Sequence, residues 1–226
     1  MSLADVFFPR RSVCMLCNHP SHGAYLCEAC QAALDKACLH EEARPDVFME
    51  AVCSAWPHEA HARKLVHCLK FEAIADAAEV LASGMVEAAK ANEYPSDAVV
   101  TSVPMPEKRI RARGIDHGLT LAEAVATGLS LRYAPLLQRT GKSHTQRGLT
   151  RAQRLRNLTN AFTAVPLHGE KVLLVDDVTT TGATAYACAR ALQEAGASGV
   201  WVLTATKALW GQAWLRRWLR RKGLKR

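Results

Sequence analysis

The chain has 226 residues, 49% hydrophobic and 22% charged, which excludes wholesale disorder and suits one ordinary domain with a small appendage. No run approaches the roughly 18 to 20 apolar residues of a bilayer span, and the opening MSLADVFFPRR lacks the form of a signal peptide. The net charge of +8 is uneven: residues 107–156 carry 11 basic and 3 acidic groups and residues 207–226 carry 8 and none, whereas residues 1–106 carry 8 and 14. Two basic blocks on an otherwise acidic protein imply anionic partners at two defined places.

Eight cysteines in a chain expected to work in the cytoplasm point to metal or burial rather than disulfides. Cys14-x2-Cys17 and Cys27-x2-Cys30 form two knuckles, nine residues apart, whose thiolates can converge on one tetrahedral Zn²⁺. His19 and His22 lie between the knuckles and offer substitutes for one ligand. A metal would stabilise a segment too short to build its own core. Cys38, Cys53, Cys68 and Cys188 lack such pairing and read as buried or incidental.

Farther along, Ala51 to Trp56 is a short β-prone run broken by Pro57, and His61 to Ala91 has helical periodicity. Ala98 to Val103 reads as a buried strand halted by Pro104 and Pro106. Lys108, Arg109 and Arg113 follow directly, where a strand end in an α/β sheet faces the ligand crevice. These are candidates for a pyrophosphate, against the alternative of a solvated basic loop. Leu121, Val125 and Leu129 recur every four residues on the next helix.

Residues 139–159 are polar and arginine-rich, with Arg139, Gln146 and Arg154 as candidate residues of a flap closing over a ligand. A track for nucleic-acid phosphates and an exposed basic helix are the other readings. Lys171 to Asp177 is a continuous apolar strand ending in two acids, residues 183–195 an alanine-rich helix, and Gly199 to Thr204 the next strand. This βαβ unit requires a parallel sheet with ligand sites at the strands' carboxyl ends. In the tail, Trp210, Trp214 and Trp218 align on one face of a basic helix. It would dock on the sheet, bind single-stranded DNA or, ranked last, meet a membrane surface.

The most informative stretch is Val172 to Thr184. A buried strand delivers Asp176 and Asp177 at its exit, where carboxylates can accept from sugar hydroxyls. Thr179, Thr180, Thr181, Gly182, Ala183 and Thr184 then supply hydroxyls and closely spaced amides at a helix start, a cradle for phosphate. Ordinary capping is the plainer reading.

This stretch resembles the phosphoribosyl pyrophosphate (PRPP) signature of type I phosphoribosyltransferases. The resemblance implies that Asp176 and Asp177 bind the ribose hydroxyls, as catalytic residues, and that Thr179 to Thr184 bind the 5-phosphate. Over residues 14 to about 206 the chain is further similar to the ComF (competence protein F, or GntX) family. The shared marks are the four cysteines, Lys70-Phe71, Val103-Pro104, Arg109, Arg113-Gly114, and Gln146, Arg154, Asn157 and Phe162. Where that family often continues with Phe-Asn-Gln, this chain has Ile115-Asp116-His117.

The fold expected is therefore α/β, a type I phosphoribosyltransferase-like parallel sheet flanked by helices with a zinc-ribbon-like amino-terminal piece. Its parts would be residues 1–57 (zinc-binding segment), 58–206 (phosphoribosyltransferase-like domain) and 207–226 (basic tail). The activity implied is Mg²⁺-dependent phosphoribosyl transfer to an unidentified acceptor, linked to competence. A non-catalytic, PRPP-binding protein that handles single-stranded DNA is the alternative. Substrate-bound Mg²⁺ and structural Zn²⁺ are the cofactors expected.

Overall fold

The structure, a computed structural model, describes residues 13–39, 42–43, 47–72, 75–140 and 161–208. In chain order the elements are α1 (Glu28–Lys36), β1 (Glu42–Ala43), β2 (Ala51–Pro57), α2 (Ala60–Phe71), α3 (Asp76–Ala91), β3 (Val99–Ser102) and α4 (Glu107–Arg113). Then come α5 (His117–Leu129), β4 (Arg132–Tyr133), β5 (Leu137–Arg139), β6 (Phe162–Ala164), β7 (Lys171–Thr179), α6 (Ala183–Glu194) and β8 (Gly199–Lys207).

Among the described residues the main sheet runs β1-β2-β8-β7-β3-β4, parallel throughout except for β1, which is antiparallel to β2. The apolar run of β7 is explained by burial on both faces. Leu173 and Val175, with Val100, Leu203 and Cys53, pack on one side against α2, α3 and α5. Val172 and Leu174, with Val99, Val200 and Val202, pack on the other against α6 and the small β5–β6 pair. Side-chain alternation along the strand therefore decides which layer each residue meets.

Two differences from the sequence expectation bear on the site. The helical pattern over 61–91 divides into α2 and α3, so the carboxyl end of α2 reaches the sheet's carboxyl edge. The run at Ala51 belongs to the main sheet, where Ala51–Pro57 pairs in parallel with β8. The sheet thus draws on residues upstream of 57. A strand between the cysteines and the helices cannot be assigned to a sheet from local pattern, because its partner lies near residue 203.

The cysteine-bearing piece docks on the α2–α3 side. Cys14, Leu16, Leu26, Cys30 and Leu34 join the core there. Trp56 Nε1 donates to the Leu34 carbonyl at 3.0 Å, Tyr25 Oη donates to Glu79 Oε2 at 2.8 Å, and Lys64 Nζ donates to the Leu16 carbonyl. No helix among the described residues is long and apolar enough to cross a membrane.

Candidate functional site

β7 carries both acids to the carboxyl edge of the sheet, and the alternation that buries Val172 to Val175 sends them to opposite faces. Asp177 follows Leu173 and Val175 toward the α2–α5 layer. Its Oδ1 accepts from Lys70 Nζ at 2.6 Å and its Oδ2 from His117 Nε2 at 2.9 Å. Burial opposes its ionisation, but the His117 hydrogen bond and the Lys70 charge outweigh burial and hold Asp177 below the usual carboxylate range.

Asp176 points to the α6 layer, and its Oδ1 accepts from the Asp177 N–H at 2.9 Å. Burial, and then the neighbouring Asp177 charge, push Asp176 up to about 8. The Cys188 thiol of α6 is likewise pushed up by burial, then by the Asp176 charge. The expectation of two carboxylates side by side thus gives way to one tied down below the sheet and one poised above it.

Both acids line a cavity of about 1010 Å³ at the carboxyl ends of β2, β3 and β7. Six basic side chains line it as well: Arg63, Lys64 and Lys70 from α2, Arg109 and Arg113 from α4, and Arg139 from β5. Six cations against two carboxylates define an anion site. Burial, and then the charge of Arg109, lower the Arg139 guanidinium from its ordinary value. Two like charges held together at a cavity wall are relieved by an anion between them. Arg139 also stacks on Phe162, 5.0 Å from the ring centroid. Lys108 is exposed on α4 and is not among the lining residues. Gln146 and Arg154 lie outside the described residues.

Of the threonine–glycine loop, Thr180 and Thr184 line the cavity, so the start of α6 faces it with its positive dipole end. Thr179 closes β7, and Thr181 Oγ1 accepts from the Ala183 N–H at 3.4 Å, holding the first turn. Gly182 has φ +73°, the left-handed region that glycine enters without strain, and this turns the chain from strand into helix.

His117 is the residue that sequence reasoning missed. Asp116 caps α5, its Oδ1 accepting from the Leu119 N–H at 3.1 Å, and that cap sets His117 over Asp177. Arg113 Nη1 lies 3.2 Å from His117 Nδ1. The same Nη1 lies 3.3 Å from His117 Nε2, so the guanidinium rests against the imidazole ring. A helix N-cap aspartate followed by histidine was the available signal, but only the fold shows what the histidine faces.

The four cysteines converge. One ligand atom from each of Cys14, Cys17, Cys27 and Cys30 lies within 4.8 Å of the others, with Cys17 and Cys27 sulfurs 3.6 Å apart. Cys14 opens a tight turn closed by the Asn18 N–H on its carbonyl, and Cys27 and Cys30 sit at the start of α1. Burial raises Cys14, but backbone N–H groups of Cys27, Leu16 and Cys17 more than offset it, bringing the thiol to about 6. Burial and the adjoining thiols push Cys30 up. Four sulfur donors at this separation fit a tetrahedral metal such as zinc, whose charge removes their mutual repulsion. His19 Nδ1 lies 3.4 Å from the Cys17 carbonyl instead of joining the cluster.

A parallel, helix-flanked sheet whose carboxyl edge brings two acids beside a threonine–glycine helix start is similar to the type I phosphoribosyltransferase fold. Relatives carry the assignment further. The chain is 33% identical over 150 residues to a DNA utilization protein YhgH of Salmonella typhi, a match covering 63% of this chain and 66% of that protein. It is 31% identical to the protein of that name from Escherichia coli K12, with the same coverage, and 28% identical over 130 residues to competence protein F of Haemophilus influenzae, covering 55% and 57%. The chain is thus similar to DNA utilization and competence proteins, in line with its resemblance to the ComF family. The match spans a little under two thirds of the length of the YhgH relatives. No family model matches the chain.

Among solved structures, the chain is similar to a glutamine PRPP amidotransferase from B. subtilis (23% identity, TM-score 0.40, 57% of this chain and 26% of that one). It is also similar to an orotate phosphoribosyltransferase from Aeropyrum pernix (15% identity, TM-score 0.37, 86% and 99%).

Proposed function

We propose that the cavity binds PRPP and that the protein transfers its phosphoribosyl group to an acceptor. One observation supports this above the rest: Asp176 leaves β7 beside a threonine–glycine loop that opens α6, in a cavity lined by six cations. In this reading the loop from Thr179 to Thr184 takes the 5-phosphate and Asp176 the ribose hydroxyls. Asp177, whose two oxygens are already engaged, fixes Lys70 and His117 at the same edge. Arg109, Arg113 and Arg139 receive the pyrophosphate.

In the transfer the acceptor's lone pair bonds to the anomeric carbon as the carbon–oxygen bond to pyrophosphate breaks. The electron pair leaves with pyrophosphate, and the acceptor's proton passes to solvent. Preplaced arginines stabilise the charge gathering on the departing oxygens, which can supply several kcal/mol. Mg²⁺, when bound, neutralises part of that charge. Among the described residues the sole metal-type cluster is the cysteines, so Mg²⁺ would be held by oxygens of PRPP itself. The cysteines would hold one structural zinc. PRPP chemistry is cytoplasmic, and we infer the same address here.

The test is PRPP with Mg²⁺ in a thermal-shift assay and in pyrophosphate release across an acceptor panel. A PRPP-induced shift that disappears in Asp176→Asn and in Arg139→Ala is the expected result. An unchanged shift in both variants moves the site elsewhere.

A second reading is favoured by the names of the relatives, DNA utilization protein and competence protein F. The protein would then bind PRPP without turnover while handling single-stranded DNA. PRPP binding with no pyrophosphate release from any acceptor selects this reading over the first.

A further inference from the structure

The cations of the cavity come from separate elements: Arg63, Lys64 and Lys70 from α2, with His67 beside them, Arg109 and Arg113 from α4, and Arg139 from β5. The two acids of β7 face opposite layers, Asp177 tied to Lys70 of α2 and His117 of α5 and Asp176 on the other side of the strand. At about 1010 Å³ the cavity lies at the upper end of small-molecule sites, which run to roughly 1,000 Å³. That volume leaves space for a second reactant beside PRPP.

The α2 wall also carries an aromatic ring in an unusual setting. Phe71 lines the cavity yet is 64% exposed, while most of the large apolar side chains among the described residues are buried. Its ring centroid lies 4.9 Å from that of His67 and 4.9 Å from the Arg113 guanidinium carbon. Folding alone gives no reason to hold phenylalanine in water between an imidazole and a guanidinium. An aromatic platform interleaved with basic side chains is the arrangement that receives a base on its flat face and a phosphate on its cations. Arg63 lies eight residues before Phe71, about 12 Å along the helix axis at 1.5 Å per residue. With a long arginine side chain, that separation suits a base and its phosphate.

We propose that the α2 wall is the acceptor subsite and that the acceptor is a nucleotide, its base on Phe71 and its phosphate at Arg63 and Lys64. A bare base would leave Arg63 without work, and inorganic phosphate would leave Phe71 without it. The inference rests on the PRPP reading for the word acceptor, but binding to this wall stands independently of it.

The experiment is calorimetry on the full chain with AMP, GMP, CMP and UMP, the matching nucleosides, and inorganic phosphate, each with and without saturating PRPP and Mg²⁺. At least one nucleotide should bind more tightly than its nucleoside and than phosphate, and PRPP should not displace it. Phe71→Ala and Arg63→Ala, both at exposed positions compatible with folding, should each weaken that nucleotide about tenfold or more. Displacement by PRPP, or full affinity in both variants, overturns the subsite. So does binding of PRPP with no nucleotide bound, and that result leaves the PRPP reading standing. A nucleotide bound through Phe71 in a protein that does not bind PRPP defeats the PRPP reading and keeps this wall as a nucleotide site.

Discussion

Lys70 at the end of α2 and Asp177 near the end of β7 meet at 2.6 Å, one of the two ties that hold Asp177 beneath the cavity. Removing one partner of such a pair strands the other's charge. Lys70→Ala should therefore cost about 3 kcal/mol of stability in urea unfolding, less if water reaches the site. Lys70→Ala combined with Asp177→Asn should recover part of that loss. A Lys70→Ala protein as stable as the parent would remove this pair from the account of the fold.

The two carboxylates predict opposite pH effects. Asp177 is held below its ordinary range, so its contribution is present above the unfolded value near 3.8 and is lost as pH falls through its lower folded value. Asp176 is raised from 3.8 to about 8, so the folded state favours its protonated form, and stability declines as pH rises from about 4 to about 8. Asp176→Asn removes that decline. Its melting temperature should match the parent near pH 4 and exceed it by several degrees near pH 9. A gap of the same size at every pH would mean that Asp176 does not titrate in this range.

Metal removal should act first on the amino-terminal piece. Elemental analysis should find about one zinc per chain, absent from Cys27→Ser. Chelation should lower the melting temperature and shift tryptophan fluorescence, because Trp56 donates to Leu34 in the helix that begins at the second knuckle. The Lys64 contact with the Leu16 carbonyl, between the first two cysteines, runs from the knuckle to the cavity wall. Anion affinity should therefore fall on chelation, and a chelated protein with unaltered anion affinity would uncouple the two.

Gly84 marks a close approach in the core. A Cβ there would sit 2.1 Å from Trp56 Cη2, and the indole is buried and held by its hydrogen bond to Leu34. Gly84→Ala should destabilise by about 3 kcal/mol in chemical denaturation, despite alanine's better helix propensity.

Much of the fold was legible because it is local. The β7–loop–α6–β8 unit could be read from an apolar run, two acids, a glycine turn and an alanine-rich helix, and each element falls where those residues place it. The cysteine cluster was legible from spacing alone. The basic face of α2 was not, because Arg63, Lys64 and Lys70 are outnumbered by acids when charge is summed over residues 1–106. Only helical winding and docking turn them toward one cavity. The opposed directions of Asp176 and Asp177 follow from strand alternation, but that inference required β7 to continue beyond the acids, as it does to Thr179. His117 became meaningful only once α5 was seen to start above Asp177.

A chain of hydroxyls crosses the sheet beneath the site. Ser54 Oγ and Thr204 Oγ1 are 2.7 Å apart, His58 Nδ1 and Thr206 Oγ1 are 2.8 Å apart, and Thr206 Oγ1 donates to the Asp177 carbonyl at 3.3 Å. Neighbouring strands of valine and leucine would tolerate sliding by two residues with little loss of apolar contact. These hydroxyls would not, since any slip strands them unpartnered in a dry interior. They act as index marks that give β2, β8 and β7 a single alignment, and so fix the height at which Asp177 emerges.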